Sequence, residues 1–372
     1  MDEITPTELK LKLEAGEPVS IVDIREAGEF AGWHIHGSSN LPVYEALSNK
    51  VVDGFTTGAS GLPKDRPVVT VCRAGIVSLQ AAELLKSMGY QAASLAGGIR
   101  GWGGVWSEAP VTRLGRPDVT FSQVRRNGKG CLSYLFGSRG EAAVVDPSVD
   151  IAAYTQIAER EGLRITHVLE THVHADHLSR ARELCEKLGA QLVMPPNQRV
   201  NYRYTPINDE ERLQVGDLEV VALATPGHTG ESTCYLVGEK ILLTGDTLFL
   251  NSVGRPDLEK GDAGAENGAR MLYRSLHDRL LDRFDDVWIY PTHHAGPIPF
   301  DRAPIEASFA VLRSKLELLV ADEQSFVAKI LVSLQAKPPN FEDIIAVNEG
   351  KVDPDSIDPI ALEAGPNRCA AG

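Results

Sequence analysis

A chain of 372 residues, 43% of them hydrophobic and 24% charged, is long enough for two or three globular domains and contains no low-complexity or repeat region. Its formal charge of −14 argues against nucleic acid as a partner, because a polyanion calls for a basic face. No apolar run approaches the ~20 residues that span a bilayer, and the acidic start Met1-Asp2-Glu3 lacks the pattern of a secretory signal, so no membrane partner and a cytoplasmic location are expected.

Up to about Trp106 the chain reads as a small α/β unit. Val19 to Ile24 and Pro67 to Val71 are short apolar strands, and Cys72 stands at the C-terminal end of the second. Val77, Ala81, Leu84, Leu85 and Met88 fall at helical spacing, with Gly89 as the stop. Cys72-Arg73-Ala74-Gly75-Ile76 is therefore a loop leading into a helix N-terminus. Backbone N–H groups there, the helix dipole and Arg73 would stabilise a thiolate and any anionic sulfur it carries. The other four cysteines carry less signal. Cys185 shares a helical apolar face with Ala181, Leu184 and Leu188, while Cys131 and Cys234 lie in strand-like runs, all three as small core residues. Cys369 lies in a terminal tail. An odd, scattered set of five is no disulfide framework.

This first unit resembles the rhodanese (sulfurtransferase) family over residues 3 to 106. The resemblance rests on Asp23-Ile24-Arg25, Gly32-Trp33-His34-Ile35-His36-Gly37, Cys72-Arg73-Ala74-Gly75 and Gly97-Gly98-Ile99. It implies that Cys72 takes up sulfane sulfur as a persulfide, with Arg73 beside it as the other catalytic residue. Val77 stands where active members usually carry a second arginine.

Pro110 to Pro117 is rich in Pro, Gly and Arg and marks the expected boundary, giving domains 1–110 and 111–372. Strand-like runs at Gly130 to Leu135 and Ala142 to Val145 follow, the second turning at Asp146-Pro147. The densest chemistry is Thr171-His172-Val173-His174-Ala175-Asp176-His177: three imidazoles and a carboxylate within six positions, directly after an apolar strand. In extended backbone His172 and His174 point to the same side and can address one ion. Four apolar strands each end near such a ligand: Thr166 to Glu170 before His172, Glu219 to Ala224 before Gly227-His228, Lys240 to Thr244 before Gly245-Asp246, and Val287 to Tyr290 before His293. Their ligands converge if these strands lie side by side.

The second region resembles the metallo-β-lactamase superfamily, through the His-x-His-x-Asp-His run, the glycine-preceded His228, the Gly245-Asp246 pair and His293. An αββα sandwich is implied, so the fold class is α/β, a rhodanese-like domain followed by that sandwich. The stretch Thr247 to Leu258 with Leu272 to His277 is similar to the persulfide dioxygenase branch. That branch implies one Fe(II) per chain on His172, His228 and Asp246, with open positions for a persulfide sulfur and dioxygen. It further implies Arg255 as the binder of a substrate carboxylate, and His174, Asp176, His177 and His293 as groups that orient ligands or hold a second metal. The implied activity is oxidation of a low-molecular-weight, glutathione-type persulfide by O2 to sulfite and thiol, coupled to sulfane-sulfur transfer through Cys72, with sulfite or thiosulfate as the transfer partner. The alternative is a dizinc thioester hydrolase of the hydroxyacylglutathione type, with His172, His174 and His228 on one zinc, Asp176, His177 and His293 on the other, and Asp246 bridging. The tail from Pro338 onward is expected to cover part of the site or to join a homo-oligomer contact.

Overall fold

The computed structural model describes residues 2–364 and 367–371. In the first domain five parallel strands lie in the order Glu3–Ile4, Ala92–Leu95, Val68–Val71, Ser20–Asp23, Ser39–Asn40. The central strand is buried at all four positions, as a parallel strand covered on both faces must be. Alternation along it divides the core: Val68 packs with Val22, Ile24, Ala81 and Leu85, while Val69 and Val71 pack with Leu9, Ile21 and Trp102.

The second domain is a sandwich of two sheets. One has seven strands in the order Thr205–Pro206, Gln191–Met194, Arg164–Leu169, Glu141–Val145, Leu132–Ser138, Thr120–Arg125, Ser107–Pro110; the other has six, in the order Arg212–Val215, Leu218–Ala224, Thr233–Val237, Ile241–Gly245, Trp288–Pro291, Ala307–Ser308. Period-two alternation again explains the layers. Leu132, Tyr134 and Phe136 meet Val220, Ala222, Tyr235 and Leu243 between the sheets, while Leu135, Ala142 and Val144 face the helix Ile151–Arg160. On the opposite side Val221, Leu223, Leu236 and Leu242 face Ala265–Arg274 and Glu323–Ser333. Helix, sheet, sheet, helix is the expected αββα arrangement.

Two expectations change. Ser107–Pro110 pairs with Thr120–Arg125 and so belongs to the sandwich, which places the end of the first domain before Ser107 rather than at 110. The four ligand-bearing strands are not all neighbours: Arg164–Leu169 lies in the seven-stranded sheet and the other three in the six-stranded one. The ligands meet across the mouth of the sandwich, where the strand ends of both sheets face each other.

The tail folds back over this mouth. It forms a helix, Phe341–Asn348, and ends in Ala370–Ala371, paired antiparallel with Val253–Gly254. Glu363 clasps it to the domain: its carboxylate accepts from both terminal nitrogens of Arg126, at 2.9 Å each, and from the Leu178 N–H at 2.8 Å. Arg126 also donates to the Gly103 carbonyl, tying the first domain to the same point. Burial pushes the Glu363 carboxyl up, but the Arg126 charge and the hydrogen bonds outweigh it and hold it down at about 2. A depressed carboxyl contributes stability that is present above its unfolded value and lost as pH falls through the folded value. The clasp should therefore hold at pH 5 and weaken only between the ordinary glutamate range and about 2. Glu363→Ala strands a buried guanidinium and should cost about 3–5 kcal/mol, read by urea unfolding at pH 7; a loss below about 1 kcal/mol would show the pair to be dispensable. Among the described residues no helix is long and apolar enough to cross a membrane.

Candidate functional site

At the first domain's loop, Cys72 is 1% exposed and its Sγ accepts from the Gly75 N–H at 3.1 Å, the Ser78 N–H at 3.4 Å and the Ser78 hydroxyl at 3.1 Å. Gly75 caps the helix Ile76–Ser87 with a left-handed backbone. Close behind it Gly98, at φ +58°, passes so near the loop that a Cβ would meet the Cys72 carbonyl oxygen at 2.4 Å, so no larger residue fits. Arg73 does not turn to the sulfur. Its guanidinium forms a bidentate pair with Glu29, both contacts 2.7 Å, and stacks on Tyr44. The donors around the thiol are thus two backbone amides and Ser78, a residue that the loop motif alone does not single out.

The larger cluster is built at the sandwich mouth. Asp146 ends the strand Glu141–Val145 with φ +50°, a conformation that Asp tolerates better than most residues. Its buried carboxylate accepts from the Thr171 N–H at 2.8 Å and hydroxyl at 2.9 Å, and contacts His174 Nε2 at 3.1 Å. Glu170 contacts the same His174 nitrogen at 3.0 Å. Two carboxylates therefore fix the ring from behind and leave Nδ1, buried and without a partner, toward the cluster. His228 is oriented from the other sheet: its Nδ1 lies 2.7 Å from the Arg255 carbonyl, which can only accept, so Nδ1 carries the proton and Nε2 is the free ligand atom. Gly227 makes that loop fit, since a Cβ there would lie 2.4 Å from the Leu272 Cβ.

His172, His228 and Asp246 offer ligand atoms within 4.8 Å of one another, as do His174, Asp176, His177 and His293. Asp246 links the groups, with one oxygen 3.4 Å from His228 Nε2 and the other 3.3 Å from His293 Nε2. The dizinc alternative puts His174 with His172 and His228; the structure groups it instead with Asp176, His177 and His293. His172 Nε2, His177 Nε2, His228 Nε2, both Asp246 oxygens and both His293 nitrogens are buried with no hydrogen bond. So many polar atoms facing each other without partners would be costly. A divalent cation held by His172 Nε2, His228 Nε2 and an Asp246 oxygen would satisfy three of them at once, so that donor set fits a metal. Burial and the neighbouring imidazoles hold His172 well below the ordinary histidine range, in the neutral form that a ligand needs. His174 moves the other way: burial opposes its charge, but Asp146 and Glu170 outweigh burial and hold it well above that range. A metal at its Nδ1 would have to displace a proton.

Several groups at this site escape a reading of the sequence. Asp146 and Glu170 look like ordinary strand ends. Cys131, expected in the core, instead lies at the cluster, its thiol 3.8 Å from Asp176 Oδ2. Asn348, from the tail helix, donates to the His174 and His177 carbonyls at 2.9 and 2.8 Å. Arg255 is 1% exposed and already committed: Nε and one terminal nitrogen donate to Asp257 at 2.7 and 2.9 Å, and its other N–H groups donate to the carbonyls of Gln335, Ala336 and Arg368. The sequence expects Arg255 to hold a substrate carboxylate; in this structure its N–H groups point to Asp257 and to the tail. Asp146→Asn keeps the volume and removes the charge behind His174. Metal affinity should fall by about 10–100-fold in a chelator competition, and an unchanged affinity would show that Asp146 does not position the site.

Between the domains lies a cavity of about 680 Å³, lined by Arg25, Arg73, Arg126, Lys129, Arg180 and Arg368 among others. It reaches from the neighbour of Cys72 to the neighbour of Cys369.

Residues 126–293 match the model of the metallo-β-lactamase superfamily, and residues 5–104 match that of the rhodanese-like domain. The mitochondrial persulfide dioxygenase ETHE1 of Bos taurus is 32% identical over 171 residues, 44% of this chain and 65% of that protein. A hydroxyacylglutathione hydrolase of Methylobacillus flagellatus is 33% identical over 145 residues, 38% of this chain and 54% of that one. The matched segments thus span less than two thirds of these curated relatives. The crystal structure of ETHE1 from Myxococcus xanthus superposes with a TM-score of 0.54 at 27% identity, covering 62% of this chain and 99% of that one.

Proposed function

Taking the chain as a rhodanese-like domain joined to a metallo-β-lactamase domain, we propose that it is an iron-dependent persulfide dioxygenase with an attached sulfurtransferase. The observation that carries this reading is the separation of His172, His228 and Asp246, a two-histidine, one-carboxylate set, from a His174 whose ring is held by two carboxylates. The similarity to ETHE1 proteins supports the same branch.

His172, His228 and Asp246 would hold one Fe(II), which when bound supplies the redox chemistry that brings O2 to sulfur. The overall change is RSSH + O2 + H2O → RSH + SO3²⁻ + 2 H⁺. The chain's own part is positional. Thr171 and Arg255 fix the faces of His172 and His228, the sandwich mouth and tail exclude water, and Asp176 with His177 and His293 forms a buried charged group beside Asp246. In the first domain Cys72 attacks the outer sulfur of a persulfide or of thiosulfate, the donor's own S–S bond breaks to release thiol or sulfite, and Cys72 becomes a persulfide. The Gly75 and Ser78 donors hold the charge of that sulfur, and its transfer to a thiol or to sulfite returns Cys72. The arginines and lysine that line the cavity between the domains suit the anions that both reactions handle, and joining the two domains in one chain raises the concentration of one site's product near the other. A cytoplasmic protein acting on glutathione persulfide fits this chemistry.

Anaerobic metal analysis combined with oxygen-electrode assays on glutathione persulfide tests the reading. Iron-dependent oxygen uptake is expected. Stoichiometric zinc without oxygen uptake would favour the second reading, a dizinc thioester hydrolase, which the four additional ligands and the hydrolase relative support.

A further inference from the structure

The tail residue Cys369, silent in the sequence, ends beside the metal cluster. Its Sγ, an Asp246 carboxylate oxygen and a His293 ring nitrogen all lie within 4.8 Å of one another. The thiol is 1% exposed, and the segment that carries it is held on both sides. Its carbonyl accepts the Arg255 N–H at 2.9 Å, its N–H donates to Asn367 Oδ1 at 3.1 Å, and the Arg368 carbonyl accepts from the Arg255 guanidinium at 3.2 Å. The next two residues form the strand that pairs with Val253–Gly254, and Ser252 bonds the Ala371 carbonyl. The loop that follows the ligand Asp246 thus serves as the template on which the tail is laid.

A buried cysteine is ordinarily a small apolar filler. Here its surroundings are different. Cys369 packs with Ala175 and Leu258 on one side, but it also meets Asp246 and His293, whose carboxylate oxygens and ring nitrogens are buried with no hydrogen bond. A thiolate is a soft donor suited to Fe(II), Co(II) or Zn(II).

We propose that Cys369 is a further ligand of the metal centre, a sulfur donor built into the tail. It rests on the reading that Asp246 and its neighbours hold a metal, but not on what reaction that metal serves. The C-terminal tail then acts as an internal cap that offers the centre the same donor element as a persulfide substrate, and incoming sulfur competes with the chain's own.

The full-length chain loaded with cobalt(II), without substrate, tests this. Metal content is measured separately by elemental analysis. The unsubstituted chain and Cys131→Ser should show a near-ultraviolet sulfur-to-cobalt charge-transfer band, and Cys369→Ser should bind cobalt without it. Bound cobalt with no band in the unsubstituted chain, or a band that survives in Cys369→Ser, would overturn the proposal, as would a band lost in Cys131→Ser but kept in Cys369→Ser. Should Cys369→Ser fail to fold, cobalt X-ray absorption on Cys131→Ser decides: a directly bonded sulfur supports the assignment, and nitrogen and oxygen alone refute it. Failure of the unsubstituted chain to bind any cobalt would refute the metal centre itself and Cys369 with it, an outcome distinct from bound cobalt without sulfur.

Discussion

Asp246→Ala should abolish iron retention and lower oxygen uptake on glutathione persulfide by more than about 100-fold, beyond the loss that follows when only a group supporting a ligand is removed. Asp246 follows the strand Ile241–Gly245 and is the single carboxylate that faces His172, His228 and His293 together. No other described group can replace it in the three-ligand set. Stability should move in the opposite sense. Without metal, the Asp246 oxygens are buried with no hydrogen bond, so removing them relieves a desolvated charge, and the metal-free variant should unfold at no lower urea concentration than the metal-free parent. Loss of activity together with a lower metal-free midpoint would indicate a folding defect instead. Iron content, oxygen uptake and the unfolding midpoint separate these outcomes.

Cys72→Ser should bring sulfur transfer from thiosulfate or persulfide donors to the uncatalysed rate and leave oxygen uptake on supplied glutathione persulfide within about twofold, because distant sites without shared partners act independently. The loop explains the severity. The Gly75 amide and the Ser78 amide and hydroxyl converge on one atom, Sγ, and a serine oxygen there can accept their hydrogen bonds but cannot form a persulfide. Ser78→Ala should give a milder loss in the same assay, about 10-fold for one of three donors. A large fall of oxygen uptake in Cys72→Ser would mean that the oxygenation step draws its sulfur from Cys72, so that the two sites work in series.

Much of this architecture is legible in the sequence because its signals are local. The apolar runs Val68–Val71 and Ile241–Gly245, the helical spacing from Val77 to Leu85 and the run from His172 to His177 each declare an element or a ligand group within a few residues. What escapes is set by long-range packing. Arg164–Leu169 falls in a different sheet from the other ligand strands because hydrophobic runs do not say which partner they pair with. Ile305 continues the helical spacing of Phe309 and Leu312, yet the helix begins at Phe309, where the Ser308 hydroxyl caps it. Cys131 looks like Cys234 in the sequence; only the isolated pairing of Cys131 with His293 sets the first beside the ligands. Arg255 reads as a free cation until Asp257 and the carbonyls of the tail are seen to use its N–H groups. The docking of the last residues on Val253–Gly254 has no periodic signature, so Asn348 and Cys369 could not be placed.

The central claim is that the cluster at the sandwich mouth joins O2 to persulfide sulfur. It is tested most directly by measuring sulfite formed against O2 consumed in anaerobically iron-loaded protein given glutathione persulfide, with a zinc-loaded sample in parallel. One sulfite for each O2 is expected with iron, and neither product nor uptake with zinc. Thioester cleavage by the zinc-loaded protein, with no oxygen consumed by the iron-loaded one, would contradict it.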